Sequence, residues 1–160
     1  MRIFFLALCF LLTPLVLLAQ GMDFGRGPVG LLPEPKIELL ATLSQTNGQW
    51  LLHLDGRIPP GFHLYSIKAQ GDLGPKPTQL ILVEPKLTPI GPLVESEPQL
   101  IEDLALDERL WVHQGDFFIE QRYQKPVNGA LPVRGFLLFQ VCDNLICLNP
   151  IKQPFSARLP

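Results

Sequence analysis

Short apolar runs alternate with turn-forming residues along almost the whole chain from Lys36 onward. In Trp50–Asp55 the even positions are apolar as far as Leu54, while His53 and Asp55 take the other side. In Phe117–Tyr123 the odd positions are mainly apolar, with Glu120 and Arg122 opposite. A period of two sets one face of an extended strand against a core and the other in water. Strands are predicted over Ile37–Leu43, Trp50–Leu54, Phe62–Ile67, Gln79–Val83, Leu110–His113, Phe117–Tyr123, Val133–Val141 and Pro154–Leu159. The breaks carry turn residues: Thr46-Asn47-Gly48, Pro59-Pro60-Gly61, Gly71 to Pro77, Gly91-Pro92, Gly115-Asp116 and Asn128-Gly129. Gln99–Leu110 is the one helix-friendly stretch, predicted as a short helix or as a loop crossing one end of the fold. Many short strands separated by turn signals predict an all-β antiparallel sandwich or barrel.

The 160 residues fit one domain, and 47 % apolar content is enough for a core. A net charge of -2 excludes the basic excess of a nucleic-acid-binding domain. The first residues read as an export signal. Arg2 supplies a short positive start, Ile3 to Leu18 is apolar except for Thr13 and Pro14, and Ala19 offers a small residue for cleavage before Gln20. A run of about 16 apolar residues is short for a membrane span, which needs roughly 20. The organisation expected is a signal peptide over 1–19, a flexible Gly- and Pro-rich lead-in over 20–35, and one sandwich domain over 36–160.

Cleavage would remove Cys9 and leave Cys142 and Cys147, in a compartment where disulfides persist. A strongly apolar strand runs into Cys142, Asp143-Asn144 is turn chemistry, and four residues separate the cysteines. That spacing suits a hairpin connection with the two sulfurs on facing strands. Directly opposed residues have Cα atoms about 4.5 Å apart, near the lower end of disulfide geometry, which makes such a bond easier to reduce. The pair reads as a redox centre or as a plain staple. A six-residue loop is worth only about 2 kcal/mol as a staple, against about 4.7 for a 100-residue loop. Zinc remains a third reading. His53, His63 and His113 show no paired ligand spacing with the cysteines, although His63 and His113 could approach them in space. No metal or small-molecule cofactor is expected on this spacing.

Thiol–disulfide exchange proceeds by thiolate attack. No Lys or Arg adjoins the cysteines, and the Asp143 carboxylate disfavours a thiolate at Cys142. Such a pair reacts slowly with stray thiols, as a dedicated electron carrier should. A hydrolase is not expected, since there is no Gly-x-Ser-x-Gly element and no clustered His/carboxylate motif. Glu102-Asp103 and Asp107-Glu108 read as a solvated acidic face.

Three segments together resemble the N-terminal periplasmic domain of the thiol–disulfide interchange protein DsbD, the disulfide bond corrector family. They are Gly61-Phe62-His63-Leu64-Tyr65-Ser66, Leu110 to Phe117, and Gln140 to Pro150 with its Cys-x4-Cys-x-x-Pro spacing. The resemblance spans roughly residues 34 to 159. It implies an immunoglobulin-like sandwich with a redox hairpin at one end, and Cys142 and Cys147 as the couple. It also implies periplasmic electron relay from a membrane-embedded thiol reductase to thioredoxin-like proteins that correct disulfides or serve cytochrome c maturation. Phe62 and Tyr65 would support the active-site end. The family's capping aromatic has no counterpart between Pro98 and Asp107, so Leu104 or Leu106 would shield the disulfide. One proline follows the second cysteine, at Pro150, where the family often has two. The alternative is a binding or adaptor sandwich in which the disulfide is structural.

Overall fold

The computed structural model describes residues 35–68, 74–126 and 132–160. The expected signal peptide, Cys9, nearly all of the lead-in and the Asn128-Gly129 turn lie outside the described residues. The described chain forms eleven strands: β1 (Glu38–Thr46), β2 (Gln49–Arg57), β3 (His63–Tyr65), β4 (Gln79–Glu84), β5 (Pro89–Glu95), β6 (Gln99–Asp103), β7 (Glu108–His113), β8 (Asp116–Gln124), β9 (Val133–Phe139), β10 (Val141–Cys142) and β11 (Ile151–Ala157). They order as β1-β2-β8-β5, β10-β3-β7-β6 and β11-β9-β4. The pairings are antiparallel, and the whole is an immunoglobulin-like β-sandwich.

Local chemistry accounts for the first hairpin. Asn47 and Gly48 both take positive φ, 53° and 74°, between the paired residues Thr46 and Gln49. This two-residue connection matches the right-handed twist of the flanking strands. The alternation read from the sequence holds: Trp50, Leu52 and Leu54 of β2 and Phe117, Ile119 and Tyr123 of β8 are buried in one cluster. Leu64, Val133, Leu137, Phe139, Val141, Phe155 and Ala157 meet them there from the other sheets. Burial of this apolar surface is the main term holding the fold. Gln153 Nε2 also donates to the Ile37 carbonyl at 2.8 Å, tying β11 to the start of β1.

Four expectations change. Gln99–Leu110 holds no helix; it is the hairpin of β6 and β7 around a four-residue turn, Leu104–Asp107. Its helix-forming composition yields to pairing with β7, because tertiary contacts outweigh a propensity of a few tenths of a kcal/mol per residue. Asp103 is buried, with 1 % of its surface exposed, so it is not part of a solvated acidic face. Gly91-Pro92, read as a break between strands, lies inside an edge strand, Pro89–Glu95. Proline and glycine are tolerated there because an edge has an unpaired side, and its pairing with β8 is irregular between Ile90 and Val94. The run predicted as one strand, Val133–Val141, is two. Phe139 pairs with Ile151 of β11, whereas Val141 pairs with Leu64 of β3, so the chain changes sheets at Gln140.

Candidate functional site

Register builds the site. In β10 and β3, Cys142 lies opposite His63 and Val141 opposite Leu64. In β3 and β7, Tyr65 lies opposite Val112; in β7 and β6, Leu110 lies opposite Ile101. Directly opposed residues share a face, and side chains alternate between faces along each strand. One face of this small sheet therefore carries Cys142, His63, Tyr65, Val112, Leu110, Ile101 and Asp103. The other carries Val141 and Leu64 into the main core. Tyr65, Leu110, Val112 and Cys142 form a separate buried cluster, with Ile101 and Cys147 partly buried against it.

Cys142 and Cys147 are joined in a disulfide, with Cα atoms 4.0 Å apart in an antiparallel bridge. The turn between them is shaped by Asp143. Its Oδ1 accepts from Leu145 N at 2.7 Å and Ile146 N at 2.8 Å, and those bonds hold its carboxyl below the usual range. Leu148 N donates to the Val141 carbonyl at 2.9 Å and closes the hairpin. The two sulfurs differ in exposure. Cys142 is fully buried and Cys147 is half-buried.

The Tyr65 hydroxyl stands between the disulfide and a carboxylate. Its oxygen lies 2.9 Å from Cys142 Sγ, 3.4 Å from Cys147 Sγ and 2.6 Å from Asp103 Oδ2. Asp103 Oδ2 also accepts from His63 Nε2 at 2.9 Å, and Oδ1 accepts from Ala105 N at 2.9 Å and Leu106 N at 3.2 Å. Burial pushes the Asp103 carboxyl up, but hydrogen bonds from Tyr65 and His63 outweigh it and the net shift is downward. Burial, then the hydrogen bond and charge of Asp103, push the Tyr65 phenol far above its ordinary value. The phenol therefore keeps its proton and commits it to the ionised carboxylate. In the disulfide state the sulfurs can only accept, so Cys142 Sγ at 2.9 Å is the second, weaker acceptor of the Tyr65 hydroxyl.

A second buried pair braces β3 from behind. His113 Nε2 meets Glu95 Oε2 at 2.9 Å, Ser66 Oγ donates to Glu95 Oε1 at 2.5 Å, and Ile67 N donates to Oε2 at 2.9 Å. Burial pushes Glu95 up, and these three donors more than reverse it. The edge strand β5 is thereby locked to β7 and to the chain just after Tyr65.

No family model matches the sequence, and no curated protein matches it. Solved structures do match. The reduced N-terminal domain of DsbD from Neisseria meningitidis superposes with a TM-score of 0.52 at 19 % identity, over 74 % of this chain and 82 % of that one. The N-terminal periplasmic domain of ScsB from Proteus mirabilis superposes with a TM-score of 0.55 at 14 % identity, over 77 % of this chain and 45 % of that one. The fold is that of a DsbD-like N-terminal domain.

Within this DsbD-like fold the residues singled out from sequence fall in different places. Cys142, Cys147 and Tyr65 come together, and Asp143 shapes the turn beside them. Leu104 and Leu106 lie on the β6–β7 turn, 67 % and 37 % exposed, next to Asp103. Phe62 packs against the main core and lines a cavity of about 280 Å³ with His63, Gly115 and Asn144. A larger concavity, about 550 Å³, lies at Glu38, Arg57 and Asp116 and is lined by no cysteine or histidine. Asp103 and His63 were not assigned to the site from sequence. His63 was legible as the i−2 neighbour of Tyr65 on one strand face. Asp103 was hidden by the helical reading of its segment.

Proposed function

We propose that the chain is a periplasmic thiol–disulfide relay domain, cycling Cys142 and Cys147 between dithiol and disulfide. The observation that carries this reading is the Cys142–Cys147 disulfide, with Cys142 fully buried against Tyr65–Asp103 and Cys147 only half-buried beside it. A staple has no need of that asymmetry.

In the reduced state the Cys147 thiolate attacks a partner's disulfide. A mixed disulfide forms, and the partner's leaving sulfur departs as a thiolate and takes a proton. Cys142 then attacks Cys147 Sγ, the internal disulfide reforms, and the partner leaves as a dithiol carrying two electrons. The Tyr65 oxygen, its own proton held by Asp103, accepts from the Cys142 thiol. This favours the thiol over the thiolate and slows wasteful exchange. Leu145 and Ile146, 83 % and 49 % exposed in the turn that leads into Cys147, give the half-buried sulfur an apolar rim. Such a rim fits the apolar surface around a thioredoxin-like active site. The partners are then thioredoxin-like proteins, serving disulfide correction or cytochrome c maturation, with a membrane-embedded thiol reductase as electron source.

The test is trapping. Cys142→Ala should accumulate a mixed disulfide through Cys147 with a thioredoxin-fold partner, and Cys147→Ala should not. The midpoint potential should lie above about -300 mV, the region below which structural disulfides sit. If neither variant traps a partner and the potential is lower, the pair is a staple and the domain an adaptor.

A further inference from the structure

His63 has no part in the exchange chemistry, yet its side chain is buried opposite Cys142. The His63 imidazole, the Asp103 carboxylate and Cys142 Sγ bring their donor atoms within 4.8 Å of one another, all buried. Cys147 Sγ is bonded to Cys142 Sγ in the oxidised chain and sits at the solvent side of the same group. We propose that the reduced chain binds one zinc-class divalent cation through Cys142, Cys147, His63 and Asp103. This rests on the relay reading only in requiring that the disulfide open.

The donor types suit such an ion. Zinc takes thiolate at about 2.3 Å and imidazole or carboxylate at about 2.0–2.2 Å in a tetrahedron, which places donors about 3–4 Å apart. Closing the group onto an ion turns His63 Nε2 from Asp103 Oδ2 to the cation, brings the freed Cys147 Sγ in, and shifts the Tyr65 hydroxyl away from its place 2.9 Å from Cys142 Sγ. The outer groups are already in place. Tyr65 donates to Asp103 Oδ2, and Ala105 N and Leu106 N hold Oδ1, so the carboxylate is oriented as a ligand's should be. Cys147 gives the route of entry. Binding moves no electrons: one cation replaces the two thiol protons, which leave to solvent. A disulfide offers no thiolate, so the oxidised chain lacks the site. Metal and partner compete for the same sulfurs, and the cation holds the pair reduced and out of exchange.

The experiment uses the full chain with Cys9→Ser, leaving Cys142 and Cys147 as its only thiols. It is opened with a phosphine, freed of reductant without oxygen, and its two thiols are counted. Titration with Co2+ should give one equivalent of a four-coordinate spectrum with thiolate charge-transfer bands, displaced by Zn2+ and absent from the oxidised chain. His63→Ala and Asp103→Asn should each weaken zinc binding by about tenfold or more. If a substitution unfolds the chain, the Cys9→Ser protein decides: excess Zn2+ should raise its midpoint potential by about 30 mV per tenfold over Kd. A pair that opens but gives no four-coordinate spectrum, affinity indifferent to both substitutions, or a potential indifferent to zinc overturns this inference alone. A pair that the phosphine cannot open overturns the relay reading as well.

Discussion

At the scale of single residues, Asp103 does two things with its two oxygens. One caps the turn that follows it, and the other fixes Tyr65 and His63 against the sulfurs. Because its carboxyl is held below the ordinary value, its contribution to stability is present above about pH 4 and disappears as pH falls through the depressed value. Removing its charge frees the Tyr65 proton for the sulfur and removes a repulsive neighbour of the thiolate. Asp103→Asn should therefore speed alkylation of the reduced pair at pH 7 by roughly tenfold, the effect of about one unit in thiol titration. Tyr65→Phe leaves the buried carboxylate one donor short and should cost about 1–3 kcal/mol, read by urea unfolding. Unchanged alkylation in Asp103→Asn would separate the carboxylate from the sulfur chemistry.

At the scale of elements, the pairing of β2 with β8 sets His53 directly opposite Glu120. Its ring bonds Glu120 at 2.7 Å and Asp55 at 2.9 Å. Partial burial works against the charged ring, but the two carboxylates prevail and raise its pKa. A raised histidine stabilises the fold fully below about pH 6.5 and loses that contribution as pH rises through the higher folded value. Melting temperature should therefore fall modestly across that window, and His53→Gln should flatten the profile. Sheet packing makes a second prediction. Gly135 of β9 lies between Leu82 and Phe155, and a Cβ there would run into the Ile81 carbonyl and the Phe155 ring. Backbone cannot step aside as a side-chain tip can, so Gly135→Ala should destabilise by about 1–3 kcal/mol. Gly48→Ala meets no such neighbour and loses only the ease of its positive φ.

At the scale of the molecule, the main core and the redox cluster lie on opposite faces of the β10-β3-β7-β6 sheet. β3 and β10 give alternate residues to each. The large core does not depend on the disulfide, which closes only a short loop. Cys142→Ala with Cys147→Ala should stay folded and lose about 2 kcal/mol in urea unfolding. Collapse of that double variant would make the bond a structural requirement and count against a carrier that must spend time reduced.

The strand periodicity, the Asn47-Gly48 turn and the cysteine hairpin were legible in the chain because each is a local matter of alternation or backbone conformation. The resemblance carried by the Gly61–Ser66, Leu110–Phe117 and Gln140–Pro150 segments points to the same sandwich that the solved structures show. The edge strand β5 was not legible, since an edge tolerates the proline and glycine that elsewhere mark a loop. Nor was the strand character of Gln99–Asp103, where pairing with β7 overrides helical composition. Tertiary structure alone decided the company of the sulfurs. Asp103 lies 38 residues from Tyr65, and Tyr65 lies 77 from Cys142. Only cross-strand register, a property of the assembled sheet, brings them within hydrogen-bonding distance.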